Sequence, residues 1–218
     1  MKTLLIGYKG NMGRRYAACL DYLGEEWIGV DIDSSDVFEA SKECNKAIIA
    51  TPTDSHLGEL HGLYPLGWIG RILCEKPIAR TSSKRELYWE GHDLRMVCNW
   101  QFAINLVLTR HRDIMVKGET KIEYDCYNTG NDGLAWDCIQ LIHLAGPKNI
   151  TLKNKSPVME CLVRTERNPT GYQITTREIE ESYVVMLSNW INDPKSLWGR
   201  EEIIKAHEEV IEYMEVEK

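Results

Sequence analysis

Nowhere in the 218 residues does an apolar run approach the ~20 needed to cross a bilayer, so the sequence predicts no membrane span. Met1-Lys2-Thr3-Leu4 passes straight into a strand-like segment, without the charged leader, apolar stretch and cleavage site of a secretory signal. The expectation is a soluble, cytoplasmic protein. Paired cysteines are also lacking. The seven cysteines are odd in number and scattered, and none forms a CxxC, so the sequence predicts neither a disulfide framework nor a metal site. Most read as small buried hydrophobes. Any cluster of positive charge is also lacking: Lys and Arg are dispersed, and the net charge of −7 argues against a nucleic-acid or membrane surface and leaves a small molecule as the expected partner. There is no internal repeat and no low-complexity stretch. What the chain does have is 43% hydrophobic residues, enough for a substantial core in one large domain or two small ones.

Short apolar runs alternate with helical periodicity through the first half. Thr3 to Ile6, Trp27 to Val30, Ala47 to Ala50, Ile69 to Cys74 and Arg95 to Cys98 read as strands. Between them, helices are expected over Asn11 to Leu23, from an N-cap in Ser34-Ser35-Asp36 to about Glu43, over Asp54 to Leu63, and over Ser82 to Gly91. Helical crossovers between successive strands predict a parallel sheet for residues 1–98.

Beyond residue 98 the pattern becomes α+β. Helices are expected over Ile104 to Met115 and Leu134 to Ala145, the latter ended by Gly146-Pro147. Strands are expected over Thr120 to Tyr127, Ile150 to Lys153, Val158 to Arg164 and Tyr172 to Glu178, with turns at Asn154 and at Asn168-Pro169-Thr170-Gly171. Glu181 to Asn192 and Arg200 to Glu215 close the chain as helices. This divides it into 1–98, a small domain over 99–180 for substrate and dimer contacts, and C-terminal helices over 181–218 that pack back on the fold.

The first strand opens into "GYKGNMG", a GxxGxxG turn that enters a helix. Glycines there let backbone approach a diphosphate, and the helix N-terminus offers N–H groups and the positive end of a dipole. The spacing is one residue longer than the usual dinucleotide fingerprint, and a plain strand-to-helix turn is the competing reading. The second strand ends in "VDID". Asp31, about 20 residues beyond the glycines, is placed to accept hydrogen bonds from an adenosine ribose and to repel a 2′-phosphate, which predicts NAD over NADP. Asp33 competes for that role, and Arg14 and Arg15 stand where either could soften the preference. Gly7, Lys9, Gly10, Asn11, Met12, Gly13 and Asp31 are thus the first cofactor-binding candidates.

Three further segments stand in order behind the glycine loop: "IIATPTDSHLGEL" (Ile48 to Leu60), "CEKPIA" (Cys74 to Ala79) and "GLAWDCIQLIHLAG" (Gly133 to Gly146). Together they resemble the Gfo/Idh/MocA family of NAD(P)-dependent oxidoreductases, closely over residues 1 to about 100 and more loosely after. The resemblance implies an α/β fold, with an N-terminal Rossmann-type parallel sheet carrying helices on both faces and a reduced α+β C-terminal domain with a mostly antiparallel sheet. It brings Thr51, Pro52, His56 and Glu75 to the cofactor. Lys76 it places beside the nicotinamide and the substrate oxygen, where an ammonium stabilises a developing alkoxide and can pass a proton. Asp137 becomes the second catalytic residue, and Asn99, Trp136 and Gln140 face substrate. A homodimer or higher homo-oligomer is the expected assembly, covering an exposed sheet.

The chain departs from the pattern in two respects. A histidine should follow Asp137 by three or four residues, but Gln140 and Leu141 stand there, and His143 lies about 240° around the helix. The second region is also short beside the longer chains common in the family. The leading reading is an NAD-dependent enzyme moving a hydride to or from a hydroxyl or keto group of a sugar or sugar-like molecule. The alternative is a non-catalytic NAD(H)- or sugar-binding protein on the same fold. A dihydrodipicolinate-reductase type also uses GxxGxxG, but no paired-histidine segment supports it.

Overall fold

A computed structural model describes residues 2–31, 37–63, 68, 70–80, 93–125, 135–136, 138–153 and 159–216. Asp33, the 34–36 N-cap, the 82–91 helix, the Asn154 turn and Asp137 lie outside the described residues. The chain forms two compact units: Met1–Val97 with Met186–Ile203, and Cys98–Val185 with Ile204–Lys218. The segment after 180 therefore divides between both. Among the described residues no helix is long and apolar enough to cross a membrane.

The first unit holds β1 (Lys2–Ile6), α1 (Asn11–Leu23), β2 (Trp27–Val30), α2 (Val37–Lys42), β3 (Cys44–Ile49), α3 (Thr53–Leu63), β4 (Arg71–Cys74) and β5 (Asp93–Met96). All five strands are parallel, in the order β2-β1-β3-β4-β5. Leu4, Leu5 and Ile6 are fully buried, as are Ile48, Ile49, Ile72 and Leu73. Consecutive buried residues mean that the central strands are covered on both faces, which is why they read as continuous apolar runs. The chain runs from β1 outward to β2 and then back across β1 to β3, so the direction of winding reverses between β1 and β3. In open α/β sheets that reversal leaves a crevice at the carboxyl ends of the two strands.

The returning segment, residues 186–203, secures the far edge of this sheet. Arg71 Nη1 donates to the Trp190 and Ile191 carbonyls at 2.7 and 2.8 Å, satisfying acceptors at the end of a helix. Trp198 bridges antiparallel to Met96 in β5, whose N–H donates to the Trp198 carbonyl at 3.2 Å. That contact gives the edge strand a partner.

The second unit comprises α4 (Asn99–Arg110), β6 (Lys121–Asp125), α5 (Ile139–Ala145), β7 (Ile150–Lys153), β8 (Glu160–Arg164) and β9 (Tyr172–Ile174), with parts of α6 (Thr176–Asn192) and α7 (Arg200–Val216). Its sheet is ordered β7-β6-β8-β9 and is mostly antiparallel. The exception is β6–β7, parallel because α5 returns the chain to the same edge between them. The β8–β9 connection is the expected Asn168–Gly171 turn. There the Asn168 side chain accepts from the Gly171 N–H at 3.2 Å and donates to the Gly171 carbonyl at 2.9 Å.

Several element boundaries differ from the sequence reading: β3 starts at Cys44 rather than Ala47, β5 spans Asp93–Met96 rather than Arg95–Cys98, and α4 ends at Arg110 rather than Met115. α4 begins at Asn99 rather than Ile104, because Trp100, Ala103, Ile104, Val107 and Leu108 already form one buried helical stripe. The strand expected over 172–178 stops at Ile174, and α6 starts at Thr176 rather than Glu181. The Glu178 side chain causes this by closing back on the residue before the helix, as in one half of a capping box: its carboxylate accepts from the Thr175 N–H at 3.0 Å and from the Thr175 hydroxyl.

Buried charge also organises the second unit. The Glu209 carboxylate on α7 takes one hydrogen bond from Lys117 Nζ at 2.7 Å and pairs with His143 Nδ1 at 2.8 Å. Burial pushes its carboxyl up, but the hydrogen bonds from His143 and Lys117 outweigh it and hold the group below its ordinary value. A carboxylate lowered in the folded state stabilises above its unfolded value, and that contribution is lost as pH falls through the lower folded value. Glu209→Gln should therefore cost about 2 kcal/mol near neutral pH. The gap to wild type should shrink once pH falls below the ordinary glutamate value of ~4.3. Urea midpoints of both proteins across that pH range measure it.

Candidate functional site

The carboxyl ends of the five strands are held in line by hydrogen bonds that continue past each strand. The Gly7 N–H donates to the Val30 carbonyl at 2.8 Å, Ala50 to Ile6 at 2.9 Å, Glu75 to Ile49 at 2.9 Å, and Val97 to Cys74 at 2.9 Å. This ladder brings most first-half site residues to one sheet edge: Asp31 after β2, Gly7 to Gly13 after β1, Thr51 and Pro52 after β3, and Glu75 and Lys76 after β4.

The glycine loop is closed by backbone contacts that leave no room for a side chain. Gly7 adopts φ +83°, and a Cβ there would meet the Ala50 carbonyl oxygen at 2.9 Å and Thr51 Cγ2 at 3.0 Å. A Cβ on Gly13 would stand 2.1 Å from the Gly7 oxygen and 2.6 Å from Tyr8 Cα. Helix α1 thus leaves β1 as tightly as two backbones can pass. Gly10 forms its N-cap without a side-chain hydrogen bond, and no acidic residue stands in its first turn. Helix N–H groups of that kind are suited to an anionic ligand. On the neighbouring strand end, the Thr51 hydroxyl is buried and has no hydrogen-bond partner among the described residues. A buried hydroxyl left so is costly unless something else satisfies it.

At the β2 end, Asp31 is mostly buried and lies 3.9 Å from Lys9 Nζ, itself largely exposed. Lys9 also stands 5.6 Å from the centre of the Tyr8 ring. Lys9 and Asp31 are therefore within reach of each other; Asn11 and Met12 open the first turn of α1.

Glu75 is buried after β4. It accepts the Tyr16 hydroxyl at 2.5 Å through one oxygen and the Lys76 N–H at 3.0 Å through the other. Burial, reinforced by the charge of Glu75, pushes the neighbouring Cys74 thiol well above its ordinary value. The Lys76–Pro77 peptide is cis. His56 lies in the first turns of α3, 1% exposed, with Nδ1 2.9 Å from the Pro77 carbonyl and Nε2 2.8 Å from the Thr51 carbonyl. Any N–H that its ring carries thus meets an acceptor, and the ring pins the loop after β3 to the turn that carries Lys76. One turn further on, burial pushes the Glu59 carboxyl above its ordinary value while His56 pulls the other way.

In the second unit, Asn99 begins α4 and Gln140 sits in α5, both buried. Gln140 Nε2 donates to the Asn99 side-chain oxygen at 3.0 Å, and Gln140 Oε1 accepts the Trp100 N–H at 2.9 Å. Both ends of its amide are used to fix the start of α4. Trp136 is 5% exposed, its ring 5.7 Å from that of His207. Sequence reasoning missed Tyr16, which reads as one more apolar position on α1. Only its pairing with Glu75, 59 residues away, distinguishes it.

The glycine contacts make a prediction of opposite signs. Gly13→Ala forces backbone apart and should destabilise by about 2–4 kcal/mol. Gly58→Ala, on an exposed face of α3 with nothing within 4 Å, should stabilise by about 0.5–1 kcal/mol. Chemical denaturation of the two variants checks both signs.

No protein-family model matches the chain, and no curated protein matches it in sequence. Solved structures do match. A myo-inositol dehydrogenase from Corynebacterium glutamicum ATCC 13032 aligns with a TM-score of 0.70 at 12% identity, over 99% of this chain and 96% of that one. The WlbA (WbpB) dehydrogenase from Thermus thermophilus, solved with NAD and UDP-GlcNAcA, aligns with a TM-score of 0.69 at 12% identity, over 96% and 94%. A Gfo/Idh/MocA family oxidoreductase from Vibrio cholerae aligns with a TM-score of 0.68 at 11% identity, over the whole of both chains. The chain has the fold of the Gfo/Idh/MocA-type dehydrogenases, as the resemblance of its motifs implies.

Proposed function

We propose that this protein is a nicotinamide-dependent oxidoreductase acting on a hydroxyl or keto group of a sugar or sugar-like molecule, with NAD(H) preferred over NADP(H). The observation that carries the reading is the cradle at the reversal of winding: glycines whose Cβ positions are filled by backbone, beside a buried Thr51 hydroxyl with no protein partner among the described residues. Those features fit a dinucleotide. Dehydrogenases of the same fold support the class of reaction, and the WlbA dehydrogenase, solved with NAD and a nucleotide sugar, supports the class of ligand.

Gly7, Gly10 and Gly13 would hold the diphosphate with the first N–H groups of α1, including those of Asn11 and Met12. Asp31 would accept from the adenosine ribose, and a 2′-phosphate would meet its charge. Lys9 would flank that end, and Thr51 and Pro52 the loop at the middle of the cofactor. Bound there, a nicotinamide supplies or accepts the hydride. Lys76 holds its ammonium at the substrate oxygen, stabilising negative charge as it develops and exchanging a proton with it. Glu75 and His56 both act on the turn that carries Lys76, at the Lys76 N–H and the Pro77 carbonyl. On the substrate side we assign Asp137 as the second catalytic group and Asn99 and Trp136 as contacts. Gln140 serves by orienting Asn99.

One observation favours the second reading, a non-catalytic binder of NAD(H) or a sugar. The two positions where the family pattern has a histidine hold Gln140, whose amide is spent within its own unit, and the apolar Leu141. Calorimetric titration with NAD, NADH, NADP and NADPH tests the cofactor site on which the enzyme and the NAD(H) binder both depend. Micromolar NAD(H) affinity, with NADP(H) at least tenfold weaker, is expected; no binding to any of the four overturns both of these and leaves only the sugar binder. Lys76→Ala then separates them: it should lower turnover of a sugar or nucleotide-sugar substrate by two or more orders of magnitude, with cofactor affinity kept within about threefold. A wild type that binds NADH yet turns over nothing across such a panel decides for the binder.

A further inference from the structure

We infer that Tyr16 is a positioning residue that couples the phosphate end of the cofactor site to its nicotinamide end. The inference rests on the dinucleotide reading above. Tyr16 lies on α1, one turn beyond Gly13, and is fully buried. Its hydroxyl donates to Glu75 at 2.5 Å, and the second oxygen of Glu75 accepts the Lys76 N–H at 3.0 Å. Glu75 is itself 6% exposed, so the side chain sits where a carboxylate needs donors and water is scarce. A phenol and a backbone amide supply one donor to each oxygen.

The consequence is geometric. Helix α1 presents its N-terminus at the glycine loop, and the same helix, through Tyr16, grips the residue that precedes Lys76. The turn at Glu75 to Pro77 is held from a second direction by His56, which reaches the Pro77 carbonyl at 2.9 Å. One helix thus sets the distance between the N–H groups meant for the diphosphate and the lysine meant for the substrate oxygen. A ligand that spans both ends meets them already in register, and preorganisation of this kind appears as affinity. Phenylalanine would fill the same space but leave one Glu75 oxygen without its donor.

The test is a double-mutant cycle read by NADH affinity, with thermal melting recorded on the same samples. Tyr16→Phe should weaken NADH binding about tenfold, while its circular dichroism spectrum at the binding temperature matches wild type. Glu75→Gln should weaken it by a similar factor. In the Glu75→Gln background Tyr16→Phe should add less than twofold, because its effect acts through that carboxylate. A purely structural tyrosine would give a different pattern: a lower melting temperature with NADH affinity within twofold of wild type. That result, or additive losses in the double variant, overturns the proposal. If Tyr16→Phe does not fold, Tyr16→His, which keeps a ring donor, is compared with Tyr16→Leu. Rescue of NADH affinity by histidine alone supports the relay, and equal losses overturn it. A wild type that binds no NADH removes the dinucleotide reading and this inference with it, an outcome separate from a wild type that binds and a Tyr16→Phe that binds equally well.

Discussion

The approach of α1 to the end of β1 is the constraint from which the rest of the first unit follows. With Gly13 so near the Gly7 oxygen that a Cβ would stand 2.1 Å away, the helix has only one path off the strand. That path places the helix N-terminus over the point where winding reverses, and sends Tyr16 toward Glu75, just past the end of β4, two strands over from β1. Loosening it would shift the loop, the helix axis and the Glu75 donor together. Backbone packed on backbone is stiff in a way that side chains, which can change rotamer, are not.

Around that constraint, buried polar groups are distributed unequally between the two units. In the first, they converge on the carboxyl edge of the sheet: Glu75, His56 and Thr51 are buried there, Glu75 accepts from a phenol and a backbone N–H, and the His56 ring faces two backbone carbonyls. Thr51 differs, since its hydroxyl has no partner among the described residues. In the second unit, Gln140 locks Asn99 and the start of α4, and Glu209 gathers Lys117 and His143 onto α7. Both of those clusters satisfy themselves. A polar group that lacks a partner is the better pointer to a ligand, because burial without a hydrogen bond costs more than most single contacts return.

How much of this could be read from the residues depends on the range of the interaction. The existence of five parallel strands, the glycine turn and the Asn168–Gly171 hairpin turn are local patterns that periodicity and turn chemistry reveal, though β3 and β5 begin two or three residues earlier than their apolar runs suggest. The start of α6 was equally legible: Thr175 and Glu178 spell a capping box, and the apolar alternation of Tyr172 to Ile174 hid it. The order of the strands is not local, nor is the parallel pairing of β6 with β7. His56 illustrates the same limit at a single residue. Its motif marks it as a site residue, yet its partners are two main-chain carbonyls, which leave no trace in the identity of Thr51 or Pro77.

Tyr16 and Gln140 carry this argument one step further. Each occupies an apolar stripe of its helix, and each is buried as that stripe predicts, so hydrophobic patterning alone classes both as core. What separates them from their neighbours is a polar tip that must find a partner once the helix packs. Tyr16 finds Glu75, and Gln140 finds Asn99 and the Trp100 amide. In both cases the partner belongs to a segment that the motifs mark for function, and the buried residue fixes its orientation. Gln140 thus contributes an amide that stiffens the start of α4.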